Sequence, residues 1–396
     1  MQALHTPCFI LDQDELVKSI QGFKDALSNF FSSFIVGYSV KTNSLPYCLK
    51  IAKQYGCYAE VVSFDEYNLA LECGYTPQSI IYNGPMKSKK TFLDAIISGA
   101  IVNIDTWREI DWLLSLPQDQ TFNIGVRLNV NISKVSPDDT SSDDDNSRFG
   151  FSDQTDEFYK VITKLKSIPN VRISGLHIHR TTHTRSTNFY YNLINYALDI
   201  VEKYQLKLDY LDVGGGYYGI FKDKPSYVDY CTAINQALKK RNIDNLKIIV
   251  EPGNGLIASA FSFLTEVIDI KHTDHNLCFV TTNGSRNDID PLFRKTSYFT
   301  DIIYKSTSKQ RLLTQQQIIS GCTCLEFDRL FTLNNSAQLL VGDRILYKNV
   351  GAYTMCLSPL FIRYFPKVYC KQNGSFVLVR EQWTEKEYIN LSYHNE

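Results

Sequence analysis

The chain has 396 residues, and its 41 lysines and arginines almost balance its 42 aspartates and glutamates. This balance argues against a nucleic-acid or anionic-membrane partner, because no net field attracts either one. The longest apolar stretches stop short of the roughly 18 residues that a membrane helix needs, and the N-terminus lacks a signal-peptide pattern. Ten cysteines without metal-like spacing are typical of thiols in a reducing compartment, so we expect a cytoplasmic protein.

The first part of the chain, up to about residue 252, alternates short β-branched runs with polar segments of helical period. Several runs are continuously apolar, as parallel strands covered on both faces must be. Eight such units over about 220 residues predict a TIM-type (β/α)8 barrel, with an open doubly wound sheet as the alternative. The predicted strands are 34–40, 59–62, 79–82, 101–104, 124–130, 173–178, 208–213 and 247–251.

After about residue 264, strand follows strand with few helical stretches, which predicts a separate C-terminal all-β domain. Its predicted strands are 266–270, 277–281, 317–320, 338–348 and 375–379. The apolar run at 7–11 precedes the barrel and is expected to pair into this second domain. The predicted organisation is an N-terminal strand segment over 1–20, the barrel over 21–262 and the β domain over 263–396.

The segment 136–146, with sequence SPDDTSSDDDN, contains five aspartates and no apolar residue. Such a composition cannot bury surface and predicts a solvated, mobile loop, with a cation-binding or anion-repelling role as the alternative.

Lys41 ends the first predicted strand, after the sequence Gly-Tyr-Ser-Val. In a TIM barrel the carboxyl ends of the strands converge on one face, where active sites form. A desolvated lysine amine has a lowered pKa and can form a Schiff base with a carbonyl cofactor. A solvated charge at the strand end is the alternative for this residue taken alone.

Three consecutive glycines, Gly214, Gly215 and Gly216, follow the seventh predicted strand. With Gly219 they also satisfy the pattern GxGxxG, but no acidic residue closes a strand about 20 positions later to hold a dinucleotide ribose. Consecutive glycines expose backbone N–H groups that a phosphate can approach closely, in the region where TIM barrels often bind phosphate. A plain tight turn is the alternative.

His177 and His179 alternate along the sixth predicted strand, which places both imidazoles on one side. A metal is one explanation, but no third ligand lies at metal-like spacing, and an imidazole can equally stack on a flat ring. Glu251 ends the eighth strand, where an inward carboxylate is costly unless it meets a cation or a protonated ring nitrogen. With Lys41 and the glycines, these residues describe a pyridoxal phosphate site, and we predict no metal.

Nine segments of the chain resemble motifs of one enzyme family, almost from end to end. They are 38–43 (Y-A-x-K-A-N in the family), 60–63 with Glu66 (D-V-V-S-x-x-E), 80–88, 148–150, 175–179, 214–216, 251–253, 321–324 with Asp328 (G-P-x-C-x-x-x-D) and 351–354 (G-A-Y-T). The chain thus resembles the pyridoxal-phosphate decarboxylases of the alanine-racemase-like fold, which act on diaminopimelate, ornithine, arginine and carboxynorspermidine.

The resemblance implies a role for each residue on the cofactor side. Lys41 would bind the cofactor covalently, His179 would stack on its pyridine ring, and Thr182 lies where the family places a phosphate-binding serine. Glu251 would pair with the pyridinium nitrogen and favour loss of CO₂, whereas racemases of this fold place an arginine there. The full predicted set for pyridoxal 5'-phosphate is Lys41, Glu60, His179, Thr182, Gly214, Gly215, Gly216, Glu251, Gly253 and Tyr353.

Cys324 and Tyr353 come from the β domain, and in the family the cysteine reaches into the neighbouring subunit's site. The resemblance therefore implies a homodimer with shared active sites, in which Cys324 is the favoured proton donor to Cα. A racemase with the same cofactor and a non-catalytic homologue that binds a protein partner are the alternatives.

The substrate side departs from the family pattern. Asp290 and Arg294 stand where diaminopimelate decarboxylases have an arginine and a tyrosine, and Leu325 replaces the usual acid that holds a distal amine. Asn254 also replaces the arginine that commonly follows Glu-Pro-Gly. We therefore predict decarboxylation of the α-carboxylate of a modified or conjugated amino acid, rather than plain diaminopimelate or ornithine. The predicted substrate-binding residues are Asp290, Arg294, Leu325 and Asp328.

Overall fold

The computed structural model describes residues 1, 3–140, 147–182, 184–219, 221–273, 277–306 and 311–392. The chain divides into two compact units. Residues 17–256 form the first, which we call the barrel unit, and residues 1–16 with 257–396 form the second, the sheet unit. Within the described ranges, no helix is both long enough and apolar enough to cross a membrane.

The strands and helices are numbered in chain order. The strands are β1 (Cys8–Asp12), β2 (Phe34–Ser39), β3 (Tyr58–Ser63), β4 (Ile80–Met86), β5 (Ile101–Ile104), β6 (Phe122–Asn129), β7 (Phe151–Ser152), β8 (Val171–His177), β9 (Tyr210–Asp212), β10 (Lys247–Val250), β11 (Phe261–His272), β12 (Leu277–Thr282), β13 (Phe299–Ile303), β14 (Leu313–Ser320), β15 (Arg329–Ala337), β16 (Arg344–Lys348), β17 (Lys367–Gln372) and β18 (Ser375–Arg380). The helices are α1 (Gln13–Ser28), α2 (Pro46–Gln54), α3 (Phe64–Glu72), α4 (Lys89–Ile97), α5 (Trp107–Leu113), α6 (Ile132–Val135), α7 (Glu157–Lys166), α8 (Thr187–Lys203), α9 (Tyr227–Lys240), α10 (Asn254–Ile257), α11 (Arg286–Ile289) and α12 (Glu385–Ser392).

The barrel unit contains a closed parallel sheet. Its strands pair in the order β5-β4-β3-β2-β10-β9-β8-β6, and a further β5–β6 pairing closes the ring. This closure confirms the predicted (β/α)8 barrel, and the alternative of an open doubly wound sheet is wrong because an open sheet has unpaired edge strands. The short strand β7, which pairs with β6, was not predicted.

The helices of the barrel unit cover the strands with amphipathic faces. Helix α7 buries Phe158, Val161, Ile162 and Leu165, a spacing that places all four on one side of a 3.6-residue turn. Helix α9 begins with a capping box between Ser226 and Asp229, which satisfies N–H groups that would otherwise lack partners. The packed and capped helices fix the positions of the strands, and therefore of the polar residues at the strand ends.

The sheet unit is built on a sheet ordered β15-β14-β12-β11-β1-β17-β18, with β16 pairing to β11 and β13. Strand β1 lies antiparallel to β11, with Cys8 opposite Leu264, and parallel to β17. Strands β13, β15 and β17 were not predicted, and β16 begins only at Arg344. The predicted strand at 338–348 is therefore wrong over its first residues, because Gly342 adopts a φ of +91° in a turn.

Part of the aspartate-rich segment is packed rather than mobile. Ser136 and Asp139 are both 2% exposed, and the Asp139 carboxylate accepts hydrogen bonds from Ser136 Oγ at 2.6 Å and Ser186 Oγ at 2.7 Å. The prediction of a mobile loop is wrong for this part, because a buried carboxylate with hydroxyl partners can anchor a polar turn. Residues 141–146 of the same prediction lie outside the described residues.

Candidate active site

Lys41, two residues after the end of β2, lies beside Glu60 in the middle of β3. Lys41 Nζ lies 2.7 Å from Glu60 Oε2, and Ser39 Oγ donates to the same oxygen at 2.6 Å. The Glu60 side chain is 1% exposed, whereas that of Lys41 is 33% exposed. Because Glu60 fixes the position of its amine and its side chain is partly exposed, Lys41 is placed to react with a carbonyl group.

Two asparagines connect Glu60 to the far side of the barrel. Asn83 Nδ2 donates to Glu60 Oε1 at 3.2 Å and also to Glu251 Oε1. Asn103 Nδ2 in turn donates to Asn83 Oδ1 at 2.8 Å and to Asp212 Oδ2 at 3.2 Å. Three buried carboxyl groups, on β3, on β9 and directly after β10, are therefore joined by two amides, which fixes their relative positions.

His177, Asp212 and Glu251 form a compact buried cluster. A ring nitrogen of His177 and one carboxylate oxygen each of Asp212 and Glu251 lie within 4.8 Å of one another. The distance from His177 Nε2 to Glu251 Oε2 is 3.4 Å. Sequence spacing gave no third partner for the histidines because these residues come from different strand ends. Burial lowers the pKa of His177 well below its usual value, so its ring is neutral. Neither ring nitrogen has a hydrogen-bond partner among the described residues.

His179 presents a fixed, neutral ring at the same end of the barrel. Its Nδ1 accepts a hydrogen bond from the Gly215 N–H at 3.2 Å, and its ring plane lies within 7° of that of His177. Burial and the neighbouring Arg127 guanidinium hold the pKa of His179 well below its usual value. An uncharged, oriented imidazole is suited to stacking on a flat ring.

The glycine run forms a cradle that side chains would fill. A Cβ at Gly214, whose φ is +75°, would lie 2.4 Å from the His179 Cβ, and one at Gly215 would lie 2.4 Å from the Glu251 carbonyl oxygen. A Cβ at Gly253 would lie 2.1 Å from Thr42 Oγ1. These close approaches explain glycine at each position. The Gly214 and Gly215 N–H groups donate to Asp212 and His179 within the barrel unit.

Thr182 lies in the loop after β8, and its Oγ1 accepts the Arg185 N–H at 3.0 Å. The hydroxyl proton of Thr182 is then available to a phosphate oxygen. The barrel unit therefore fits pyridoxal phosphate: it provides an amine, a glycine run without side chains, a threonine hydroxyl, a neutral imidazole plane and a buried carboxylate.

Cys324 lies in the sheet unit, in a loop that Asp328 orders. Asp328 is 2% exposed and accepts hydrogen bonds from Ser285 Oγ, the Arg286 N–H and the Thr323 N–H and hydroxyl, at 2.6–3.1 Å. The Cys324 side chain is exposed. The predicted substrate residue Asp328 is thus placed as the internal support of the cysteine loop.

Asp290 has a similar internal position in the neighbouring loop. Its carboxylate accepts from Arg286 Nε at 2.9 Å and from the backbone N–H groups of Arg294 and Lys295 at 3.0 Å. The side chain of Arg294 is exposed and that of Leu325 is partly exposed. The two aspartates therefore shape the loops, whereas the other two predicted substrate residues are accessible.

Tyr353 adopts a φ of +55° and is 44% exposed. A left-handed conformation is uncommon for a tyrosine and frequently accompanies functional sites.

An open cavity of about 380 Å³ lies elsewhere in the sheet unit, with Lys271, Phe279, Cys324, Leu325 and Arg329 in its wall. Cys324 and Leu325 thus border a space that can receive part of a ligand.

The hydrogen bonds that link Glu60 to Glu251 and Asp212 form what we call the barrel network, and four of its polar residues were not predicted from the sequence. They are Asn83, Asn103, Asp212 and Tyr210, whose hydroxyl donates to Asn103 Oδ1 at 2.8 Å. Asn83 and Asn103 stand inside otherwise apolar strands, and that placement was the available signal.

The known proteins that this chain is similar to include several decarboxylases. The family model for the pyridoxal binding domain of pyridoxal-dependent decarboxylases matches residues 13–258. The probable chloroplastic diaminopimelate decarboxylase of Oryza sativa subsp. japonica is 26% identical over 98% of this chain and 80% of its own length. The L-glutamyl-[BtrI acyl-carrier protein] decarboxylase of Niallia circulans is 22% identical over 99% of this chain and 94% of its own length. The structure of diaminopimelate decarboxylase from Methanocaldococcus jannaschii superposes with a TM-score of 0.86 at 22% identity, covering 99% of this chain and 93% of the other.

Proposed function

Because the chain belongs to the pyridoxal-dependent decarboxylase family, we propose that it removes the α-carboxylate of a modified or conjugated amino acid. Its cofactor is pyridoxal 5'-phosphate, and its reaction class is that of the carboxy-lyases. The assignment of individual residues below is part of the proposal. It rests on the buried Glu251 at the end of the barrel network, together with Lys41 and the glycine cradle.

Each residue of the barrel unit has a task in this proposal. When bound, the cofactor supplies a ring that withdraws the negative charge left at Cα after CO₂ departs. Lys41 binds the cofactor through its amine, and Glu60 orients that amine. His179 holds the ring plane, and Glu251 accepts a hydrogen bond from the ring nitrogen and keeps it protonated. Cys324 donates a proton to Cα, which completes the replacement of the carboxylate by hydrogen.

The accessible wall beside Cys324 supports a modified substrate. A distal ammonium needs a carboxylate partner, because an unpaired charge loses its hydration when it is enclosed. Leu325 has no charge, and Asp290 is occupied by the hydrogen bonds of its own loop. Lys271 and Arg329 line the cavity together with Glu326, and Lys271 also lies 3.9 Å from Asp269. This balance favours a distal group that is anionic or accepts hydrogen bonds, as in a carboxyalkyl polyamine or a conjugate of an amino acid.

A screen of CO₂ release by the purified holoprotein tests the proposal. We expect the specificity constants for diaminopimelate, ornithine and lysine to fall below roughly 10⁴ M⁻¹s⁻¹, the ordinary enzyme range. Amino acids conjugated at the distal end, including carrier-linked and carboxyalkyl forms, should give higher values. A value above that limit for diaminopimelate or ornithine would refute the substrate assignment. Change of chirality without CO₂ release would identify a racemase instead.

We also propose that the protein forms a homodimer in which Cys324 of the partner subunit completes each site. Lys41 belongs to the barrel unit and Cys324 to the sheet unit. The sheet unit exposes the apolar residues Leu357, Leu360, Phe361 and Ile362 close together in sequence. Grouped exposed apolar side chains of this kind commonly mark protein–protein interfaces.

Mixing two inactive variants tests the shared site. Lys41→Ala and Cys324→Ala chains, exchanged at equal amounts, should recover about a quarter of the wild-type activity, because half of the dimers are mixed and each has one intact site of two. Subunit exchange is checked by mass-tagged chains. Confirmed exchange without recovered activity would contradict shared sites.

A further inference from the structure

The carboxyl groups of Asp212 and Glu251 lie together at the buried end of the barrel site. Asp212 is 0% exposed and Glu251 is 3% exposed. A carboxylate oxygen of one lies within 4.8 Å of a carboxylate oxygen of the other. Two adjacent buried carboxylates repel each other and lose their hydration, so at most one of them stays charged unless cations balance both.

The neighbouring cations are already committed to other acids. Lys41 pairs with Glu60 at 2.7 Å, and Arg127 pairs with Asp105 at 2.9 Å. His177, the third member of the cluster, is neutral because burial lowers its pKa. The ring nitrogen of the cofactor supplies one positive charge in the proposed function, and that charge balances one carboxylate of the pair, not two.

The hydrogen bonds around Asp212 indicate which acid is neutral. Its oxygens accept from Asn103 Nδ2 at 3.2 Å and from the Gly214 N–H at 3.1 Å. Asn103 is oriented by Tyr210, whose hydroxyl donates to its Oδ1 at 2.8 Å. Burial, and then the charge of Glu251, raise the pKa of Asp212 well above its usual value. A protonated Asp212 can donate toward Glu251 and still accept both N–H groups.

We propose that Asp212 carries a proton and donates it as a hydrogen bond to Glu251, so that Asp212 is a positioning residue that sets how strongly Glu251 accepts the ring N–H of the cofactor. The role toward the ring rests on the proposed function. The protonation of Asp212 is a property of the protein alone, and the two parts are tested separately.

The first test compares two buried aspartates of the barrel unit without cofactor. Asp212→Asn keeps a donor toward Glu251 and an acceptor for one of the two N–H groups, so its melting temperature should stay within about 2 °C of wild type. Asp105→Asn removes the charge that pairs with Arg127 and should lower the melting temperature by about 4 °C or more. If Asp212→Asn destabilises as much as Asp105→Asn, the proton on Asp212 is refuted.

The pH dependence gives a readout that a purely structural role does not move. A raised pKa means that the folded protein binds the proton more tightly than the unfolded chain, so the stability that this proton provides falls as pH rises above 3.8, the ordinary value for aspartate. Wild type should therefore lose stability relative to Asp212→Asn between about pH 5 and pH 8. A difference that is constant over this range contradicts the proposal. The groups facing Asp212 are Glu60, His177, Tyr210 and Glu251.

The second test examines the holoprotein by the ¹⁵N chemical shift of the ring nitrogen in labelled pyridoxal phosphate. Asp212→Asn should give a shift near that of wild type, whereas Asp212→Leu, which cannot donate, should change the shift and weaken cofactor binding about tenfold. Equal shifts in all three proteins, or an equal change in both variants, would overturn the proposed role. If wild type binds no pyridoxal phosphate, the proposed function fails, while the melting comparison still decides the protonation of Asp212.

Discussion

The barrel network and the Cys324 loop are stabilised in different ways. In the barrel, side chains bind side chains across strands, as when Asn83 joins Glu60 to Glu251. In the loop, one buried carboxylate, Asp328, binds N–H and hydroxyl groups of Thr323 and of residues 285–286, and Cys324 stays exposed. A substitution in the network disturbs several strands at once, whereas the exposed loop positions can change without altering the support beneath them.

The largest effect should come from removing the amine of Lys41. In wild type, borohydride should fix the cofactor covalently to the protein, and Lys41→Ala should abolish this label and lower activity roughly 10³-fold or more. Mass spectrometry of the reduced protein measures the label. Lys160→Ala, which changes an exposed lysine on α7, should retain it. A Lys41→Ala protein that still traps the cofactor would contradict the assignment of Lys41 as the residue that binds it covalently.

A methyl group added to the cradle should have the next largest effect. In Gly215→Ala the new Cβ would lie 2.4 Å from the Glu251 carbonyl oxygen, so the backbone must shift and misplace the N–H groups. We expect the Kd for pyridoxal phosphate, measured by absorption titration, to rise about tenfold or more. Gly22→Ala in helix α1 adds a methyl group 3.9 Å from its nearest neighbour and should leave the Kd unchanged. Equal Kd values in both variants would contradict the cradle.

The sequence predicted the parts of the molecule whose signal is local. Lys41 and Glu251 end apolar runs, so the barrel topology alone placed them on one face. Asn83, Asn103 and Asp212 were missed because only the closure of the sheet brings them together. Strand β15 was missed because its sequence RLFTLNNSA is largely polar and partly exposed, without the apolar run that identified the barrel strands.

Asp290 and Asp328 show a second limit. The resemblance placed them beside the substrate, which stays a prediction. The structure adds that both carboxylates accept hydrogen bonds from loop N–H groups, and their spacing in the sequence did not indicate these bonds, because such partners depend on how the loop folds.

The support of the Cys324 loop should be measurable as stability. Asp328→Ala leaves the Arg286 and Thr323 N–H groups without their acceptor, so we expect the free energy of unfolding to fall by about 1–3 kcal/mol. Urea denaturation measures it. Glu326→Ala, at an exposed position of the same loop, should change it by less than about 0.5 kcal/mol. Equal stability of the two variants would show that Asp328 does not support the loop.

The smallest expected effect concerns Glu66, a partly buried residue of helix α3. Its Oε2 accepts the Val62 N–H at 2.8 Å, and burial raises its pKa from 4.5 to about 7. Since the folded protein binds this proton more tightly than the unfolded chain, the stability that the proton provides is full below pH 4.5 and is lost as pH rises toward 7. Glu66→Gln keeps the acceptor and removes the titration.

Between pH 5 and pH 7.5, wild type should therefore lose on the order of 1 kcal/mol of unfolding free energy relative to Glu66→Gln. Urea denaturation across that range measures the slope, and Glu72→Gln, at an exposed position of the same helix, corrects for the change in net charge. A flat or rising difference would show that Glu66 is ionised throughout.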